Sequence, residues 1–250
     1  MSIFKRALAL LLACLCLPAA AMAEERFVYG QSYLGRDLVC VRIGNEAAEK
    51  SLLISFAVHG FEGESANDGR YLVEIAEKLI AHYDANPGDL CGHALYVLPC
   101  VNPDGVEEGI TEDGFGRMNA QEIDINRDFD SDWKYRNTAR YRTGDAPFAT
   151  PEARAVRDLM EDIRPTYGVD VHGWINGVYG TKALAKCFRN AFGFKHRTYQ
   201  SGGKLSQWME DHTEAAVLVE LPSRPSREGY VDTNAQKLIK ALNEWFARGV

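Results

Sequence analysis

Short apolar runs alternate along this chain with stretches in which apolar positions recur every three or four residues. Residues 38–44 (Leu38-Val39-Cys40-Val41-Arg42-Ile43-Gly44) and 52–58 (Leu52-Leu53-Ile54-Ser55-Phe56-Ala57-Val58) end in glycine or a polar turn, as buried strands do. Residues 71–83 put Leu72, Ile75, Ala76, Leu79 and Ile80 on one helical face. A further apolar run, 94–101, stops at the turn signal Asn102-Pro103-Asp104-Gly105. Thr150 and Pro151 open a helix as N-cap and first helical residue, and Ala155, Val156, Leu159 and Ile163 continue its apolar face until Pro165. Strands over 168–171 and 215–219 and an amphipathic helix over 234–247 complete the series. Strands alternating with helices predict an α/β fold, a mixed, mostly parallel twisted sheet covered by helices on both faces. His59, His172 and Glu220 each directly follow a predicted strand, at the sheet edge where open α/β folds carry their sites.

Residues 1–23 depart from that pattern. Lys5 and Arg6 precede an almost wholly apolar stretch, 7–17, and Ala21-Met22-Ala23 closes it with small residues, which reads as a signal peptide cleaved near Ala23. The location expected is therefore extracytoplasmic, secreted or periplasmic. The stretch is shorter than the roughly 20 residues a membrane helix needs, and no later segment is as apolar, so no membrane span is expected. Cys14, in Leu11-Leu12-Ala13-Cys14, loosely resembles a lipid-attachment site but would leave a very short apolar stretch before the cut. Residues 24–250 suit one domain with a single core.

Composition narrows the partners. With 28 Lys and Arg against 35 Asp and Glu, a net charge of −7 and no basic cluster, nucleic acid and anionic membrane are poor partners. Beyond the leader stand Cys40, Cys91, Cys100 and Cys187, an even number that suits an oxidising compartment. Free buried thiols and one or two disulfides both remain open, with all three pairings of the four. None forms a Cys-x-x-Cys pair, which argues against a structural zinc site.

The candidate chemistry begins at His59-Gly60-Phe61-Glu62. An acid three residues after a histidine means little alone, but where a chain turns after a strand, imidazole and carboxylate can converge on one cation. His172, after Asp170 and Val171, is the best third ligand, leaving a fourth position for water. A buried histidine that is simply hydrogen-bonded is the plain alternative for it. His82, His93, His196 and His212 lack a partnering motif and read as surface histidines.

Tyr29-Gly30-Gln31-Ser32-Tyr33-Leu34-Gly35-Arg36, the His59/Glu62 pair, Asn102-Pro103-Asp104-Gly105, Arg117, Asp124-Ile125-Asn126-Arg127, His172, Tyr199 and Val219-Glu220-Leu221 occur in one order. That order resembles the zinc carboxypeptidase family of the carboxypeptidase A and B type. The resemblance implies a catalytic domain over 24–250 with one Zn2+ per chain, held by His59, Glu62 and His172. It implies Glu220 as the base that activates the attacking water, and Arg117 as the stabiliser of the oxyanion. Asn126 and Arg127 match the pair that binds the free C-terminal carboxylate of a peptide substrate, a task suited to a planar guanidinium. Asp124 matches a residue that hydrogen-bonds the first zinc histidine, and Tyr199 opens Tyr199-Gln200-Ser201-Gly202-Gly203, which looks like a mobile loop that closes over substrate.

Two departures touch the substrate pocket: Phe61 stands where many members have arginine, and the stretch from His172 to Tyr199 is short. Val219-Glu220-Leu221-Pro222 is similar to murein-peptide members, which with the leader makes a bacterial cell-wall peptide the expected substrate. Whichever of Lys204 and Leu205 points inward sets the preference, Lys204 for acidic residues and Leu205 for apolar ones. Lys204 and Arg224 are the cations near catalytic motifs that suit an extra substrate carboxylate. An N-acyl amino acid deacylase of the related zinc class is the alternative enzyme, opposed by the Tyr199 loop and the Asn102 turn. A non-catalytic peptide-binding relative is opposed by the complete set of ligands and base.

Overall fold

A computed structural model describes residues 24–248. The expected signal peptide, with Cys14 and the cleavage position near Ala23, lies outside the described residues. In chain order the elements are β1 (Glu25–Gln31), β2 (Asp37–Ile43), β3 (Ser51–Phe56), α1 (Arg70–Ala85), β4 (Ala94–Leu98), α2 (Pro103–Glu107), β5 (Thr111–Met118) and α3 (Pro151–Ile163). Then follow β6 (Tyr167–Gly173), β7 (Gly177–Gly180), α4 (Lys182–Phe192), β8 (Lys195–His196), α5 (Leu205–His212), β9 (Ala215–Leu221) and α6 (Tyr230–Phe246).

Eight of the strands form one sheet in the order β1-β2-β4-β3-β6-β9-β7-β8. Its centre, β4-β3-β6-β9, is parallel, while β1, β2 and β7 pair antiparallel towards the margins. This is the mixed single-domain α/β sheet the pattern predicts. Every residue of β3, β6 and β9 is buried, because central strands here are covered on both faces. Successive side chains point to opposite faces. Leu52, Ile54 and Phe56 accordingly join α1, α4 and α6 in one core, and Leu53 joins α3 and α5 in the other.

Several elements differ from the sequence expectation in ways that matter for the site. His172 and Glu220 lie inside β6 and β9 rather than after them, since the parallel ladder continues through His172↔Glu220 to Gly173↔Leu221. Only His59 lies beyond its strand, where Ala57 turns to φ 49° and ends β3. The Asn102 tetrapeptide starts the short helix α2, with the Asn102 side chain accepting from Gly105 N at 3.0 Å and Pro103 in the first turn. His93 is not a surface histidine; it is buried, with its ring 4.9 Å from Phe246. Cys40, Cys91, Cys100 and Cys187 are free thiols, Cys40 and Cys187 buried. No helix among the described residues is long and apolar enough to cross a membrane.

The loop that carries His59 is clamped by close backbone contact. Gly60 N and Phe61 N both donate to Gly116 O, at 2.8 and 3.1 Å, and a Cβ on Gly60 would overlap the Gly105 backbone. Gly60→Ala must therefore displace α2 or the His59 loop. It is expected to lower stability by about 1–3 kcal/mol, typical of overpacking, read from the urea unfolding midpoint; a midpoint equal to the parent's would contradict this contact.

Candidate active site and metal centre

A buried carboxylate sets the first half of the site. Asp68 accepts from Glu62 N at 2.5 Å, Glu64 N at 2.7 Å, Ser65 N at 3.2 Å and Trp174 Nε1 at 2.8 Å. The His59–Glu62 turn is thereby tied to the segment just after His172. The second half rests on β3 and β6 being parallel neighbours, with Ser55 paired to Asp170. Asp170 and His172 fall on one side of β6 because they are two residues apart.

His59 Nδ1 lies 3.0 Å from Glu62 Oε2, and His172 Nδ1 lies 2.9 Å from Glu62 Oε1. The other nitrogens have carboxylates of their own, His59 Nε2 with Asp124 Oδ1 and His172 Nε2 with Asp170 Oδ2, both at 3.0 Å. Ser55 Oγ donates to the other Asp170 oxygen at 2.9 Å. An ionised carboxylate can only accept, so each Nε2 carries a proton, and each Nδ1 would offer its lone pair to a cation held between the rings and Glu62. Glu62 Oε1 is buried and accepts no well-aligned hydrogen bond despite the nearby imidazole. Two imidazoles and a carboxylate, with donor atoms within 4.8 Å of one another, form the one such metal-holding group found among the described residues. The set fits zinc: nitrogen and oxygen donors, carboxylates behind both histidines, and a side open to a cavity.

Electrostatics follow from burial and these contacts. Burial alone would raise the Glu62 carboxyl, but the His59 and His172 charges outweigh it and hold Glu62 well below the usual range. Burial opposes ionisation of Asp124 too, and Arg117 and then His59 override it. For His172, burial disfavours the charge, while Asp170 and Glu62 together raise it well above its ordinary value. Burial pushes Glu220 up to about 7, with the His172 charge acting the other way; its Oε2 is buried without a partner.

A cavity of about 600 Å³ opens onto the donor set, and Arg117, Asn126, Arg127 and Glu220 line it with the three candidate ligands. Arg117, on β5, is held because Asn102 Nδ2 donates to Met118 O at 3.2 Å, and its guanidinium reaches Asp124 Oδ2 at 3.6 Å and Glu62 Oε2 at 4.0 Å. Asp124 caps the tight turn Ile125–Arg127 by accepting from Asn126 N at 3.0 Å, which turns Asn126 and Arg127 to the cavity. Tyr141 lies under both guanidiniums, 4.9 Å from Arg127 and 5.6 Å from Arg117.

The structure does not bring every expected residue to this wall. Tyr199 is off it, its hydroxyl buried without a partner and its ring stacked 5.4 Å from that of Tyr179, which does line the cavity. The reason is local: the stacked ring of Tyr179 holds it against β7. Lys204 faces the cavity while Leu205 is buried in the core beneath α5, which settles the orientation left open above. Arg224 is exposed and not on the wall. Sequence reasoning missed Asp170, although a charged residue inside the apolar run of β6, two before His172, signals it. Arg136, Tyr141 and Tyr179 carried no signal, because they come from loop and margin segments without periodicity.

Against known proteins, a profile of the family described as zinc carboxypeptidase matches residues 23–184, more than half the chain; Tyr199 and Glu220 fall beyond the match. The chain is 33% identical over 227 residues to bacteriocin BCN5 of Clostridium perfringens, covering 88% of this chain but only 25% of that protein. It is 27% identical over 220 residues to murein peptide amidase A of Escherichia coli (strain K12), covering 80% of this chain and 82% of that one. Among solved structures, murein-tripeptide amidase MpaA from Escherichia coli O157 superposes with a TM-score of 0.63 at 25% identity, covering 88% of this chain and 91% of that chain.

The carboxylates behind the histidines generate a test that the ligands themselves do not. Asp170→Asn keeps the shape but removes the charge that fixes the His172 tautomer, so metal affinity is expected to fall about 10- to 100-fold. Competition with a chelator measures this, and an unchanged affinity would contradict the role given to Asp170.

Proposed function

We propose that this chain, which belongs to the zinc carboxypeptidase family, removes the C-terminal residue of a peptide outside the cytoplasm, with bacterial cell-wall peptide as its substrate. As a family member it is a peptidase, a hydrolase of amide bonds. The observation that carries the finer reading is the single cavity in which His59, Glu62 and His172, Glu220, Arg117 and the Asn126–Arg127 pair meet. The murein-peptide assignment draws support from a relative matched over most of both chains. The extracytoplasmic address draws on the leader sequence, Lys5 to Ala23.

In this reading His59, Glu62 and His172 hold one zinc ion, which when bound supplies a Lewis acid that makes water nucleophilic near neutral pH. The chain's own residues do the rest. Arg127 grips the terminal carboxylate with its planar fork, pre-positioned by Tyr141 and by its Nη1 donating to Asn126 O at 2.5 Å. Arg117 donates to the oxygen of the scissile carbonyl as it becomes an oxyanion. Glu220 takes the proton of the attacking water and delivers it to the leaving amine, a double task for which a carboxyl raised towards neutrality by burial is suited. Asp124 and Asp170 keep the imidazoles oriented. Tyr199, expected to close over substrate, acts in this reading through a movement of its loop, with Tyr179 as the aromatic wall beside Glu220.

Three experiments test this. Glu220→Gln is expected to keep one zinc per chain and the parent fold while kcat drops about 10²- to 10⁴-fold; near-normal turnover would assign the base elsewhere. Amidating the C-terminus of a cleaved peptide, or Arg127→Ala, is expected to abolish or nearly abolish cleavage, because Arg127 has then lost its partner. Equal rates on amide and free acid would make the enzyme an endopeptidase or amidase of another kind. Release of the last residue from a murein tripeptide, compared with peptides ending in Phe, Leu or Lys, tests the cell-wall assignment, and a preference for the latter would overturn it.

A further inference from the structure

The proposed reaction gives no task to Asp68, although its carboxylate lies at the root of the donor set and is wholly buried. All four of its partners are neutral N–H groups, Glu62 N on one oxygen and Glu64 N, Ser65 N and Trp174 Nε1 on the other. A carboxylate is costly to bury, and a chain that needed only a closed turn here could make it with a neutral asparagine or serine. What the carboxylate adds is acceptance at both oxygens and donation from neither, so it can gather donors from two segments at once.

Both segments close on Glu62. Its backbone N is held by Asp68, and Gly173, the neighbour of Trp174, stands so near that a Cβ there would lie 3.9 Å from the Glu62 Cβ. Asp68, Trp174, Gly173 and Glu62 therefore form a ring of contacts around the ligand's own backbone. The start of α1 backs this ring, since Gly69 N donates to Gly60 O at 3.0 Å and a Cβ on Gly69 would lie 2.5 Å from His59 O. On its far side Trp174 reaches the strand that carries Glu220. Its ring meets that of Tyr230 edge to face, with centroids 5.8 Å apart, and the Tyr230 hydroxyl donates to Pro222 O at 2.5 Å. Asn176 N donates to Leu221 O at 3.3 Å, and Gly177 pairs with Glu220 itself. Trp174 is thus packed between the ligand turn and the strand of the base, and its indole N–H is anchored on Asp68.

We infer that Asp68 is a positioning residue: through Glu62 N it sets the carboxylate ligand against the two imidazoles, and through Trp174 it sets that ligand's distance from the base Glu220. Asp68 itself does not line the cavity and acts only through these neighbours. The inference rests on the zinc reading of the site and adds the residue that holds ligand and base in one frame.

The test compares the full chain with Asp68→Asn, which keeps the shape but sets an N–H against an N–H whichever way its amide turns. In zinc-free protein, hydrogen exchange at the Glu62 amide is expected to be slow in the parent and about tenfold faster in the variant. In loaded protein, zinc affinity by chelator competition should fall about 10- to 100-fold, and the visible spectrum of the cobalt(II)-substituted form should shift. The same variant should lose about tenfold or more in kcat with KM unchanged, because Asn126 and Arg127 stand on a separate turn capped by Asp124. Trp174→Phe and Tyr230→Phe each keep an aromatic ring and remove one hydrogen bond of the link to Glu220. Both are expected to lower kcat about threefold or more at the parent's zinc affinity, and they decide alone if Asp68→Asn does not fold. A folded Asp68→Asn that is less stable but matches the parent in zinc affinity, cobalt spectrum and kcat would overturn the inference, leaving Asp68 a plain turn residue. Parent-like kcat in both aromatic variants would overturn the link to Glu220. If the parent binds no zinc yet Asp68→Asn frees the Glu62 amide, the zinc reading fails and the positioning role stands. Zinc bound equally by parent and variant has the reverse meaning.

Discussion

Three buried carboxylates, Glu62, Asp124 and Asp170, grip two buried imidazoles, and this cluster constrains everything around it. Each histidine is committed at Nε2 to an aspartate, so both Nδ1 atoms must face Glu62. Charges this deep are tolerated only when paired and hydrogen-bonded. Arg117 supplies one cation, and a metal ion between the three donors would supply further positive charge. The demand propagates outward through the motifs. Asn102 holds the end of β5 that bears Arg117, while Asp104 in the same tetrapeptide accepts from Ser32 Oγ at 2.8 Å and Arg36 Nη1 at 2.7 Å. Segments about seventy residues apart are thus joined in one chain of support that ends at His59.

The sheet supplies what side chains cannot, a fixed spacing between the parts. Parallel pairing of β3 with β6 and of β6 with β9 places the segment leading to His59, His172 and Glu220 on adjacent strands in order. The His172↔Glu220 register puts the proposed base beside a ligand without any loop between them. The cavity brings the donor set and Glu220 together with the cations Arg117, Arg127, Arg136 and Lys204 on one lining.

How far this could be read from the sequence depended on whether a residue's task left a local trace. Periodicity marked the central strands and α1, α3 and α6, since burial on one or both faces dictates residue type at every step. The ligands and Asp124 stood out because ordered motifs surround them. By contrast β1, β5, β7, β8, α4 and α5 escaped, being marginal, short or amphipathic over few turns. The end of β6 was misjudged by two residues, because ladder pairing with β9 carries a polar residue, His172, that propensity would place in a turn. Lys204 against Leu205 was undecidable, since their orientation depends on Gly203 docking on Arg127, a contact between residues 76 positions apart. Arg136 and Tyr141 belong to a loop whose conformation is set by Thr143 and by stacking beneath arginines, neither of which leaves a pattern.

The chemistry of this site turns on what would surround a bound metal. X-ray absorption at the zinc edge, on protein loaded with one equivalent, reads those neighbours directly. The expected spectrum shows scattering from two imidazoles together with oxygen donors and no sulfur, and His172→Ala removes one of the imidazole contributions. A spectrum with thiolate scattering, or one that His172→Ala leaves unchanged, would contradict a metal centre built from His59, Glu62 and His172.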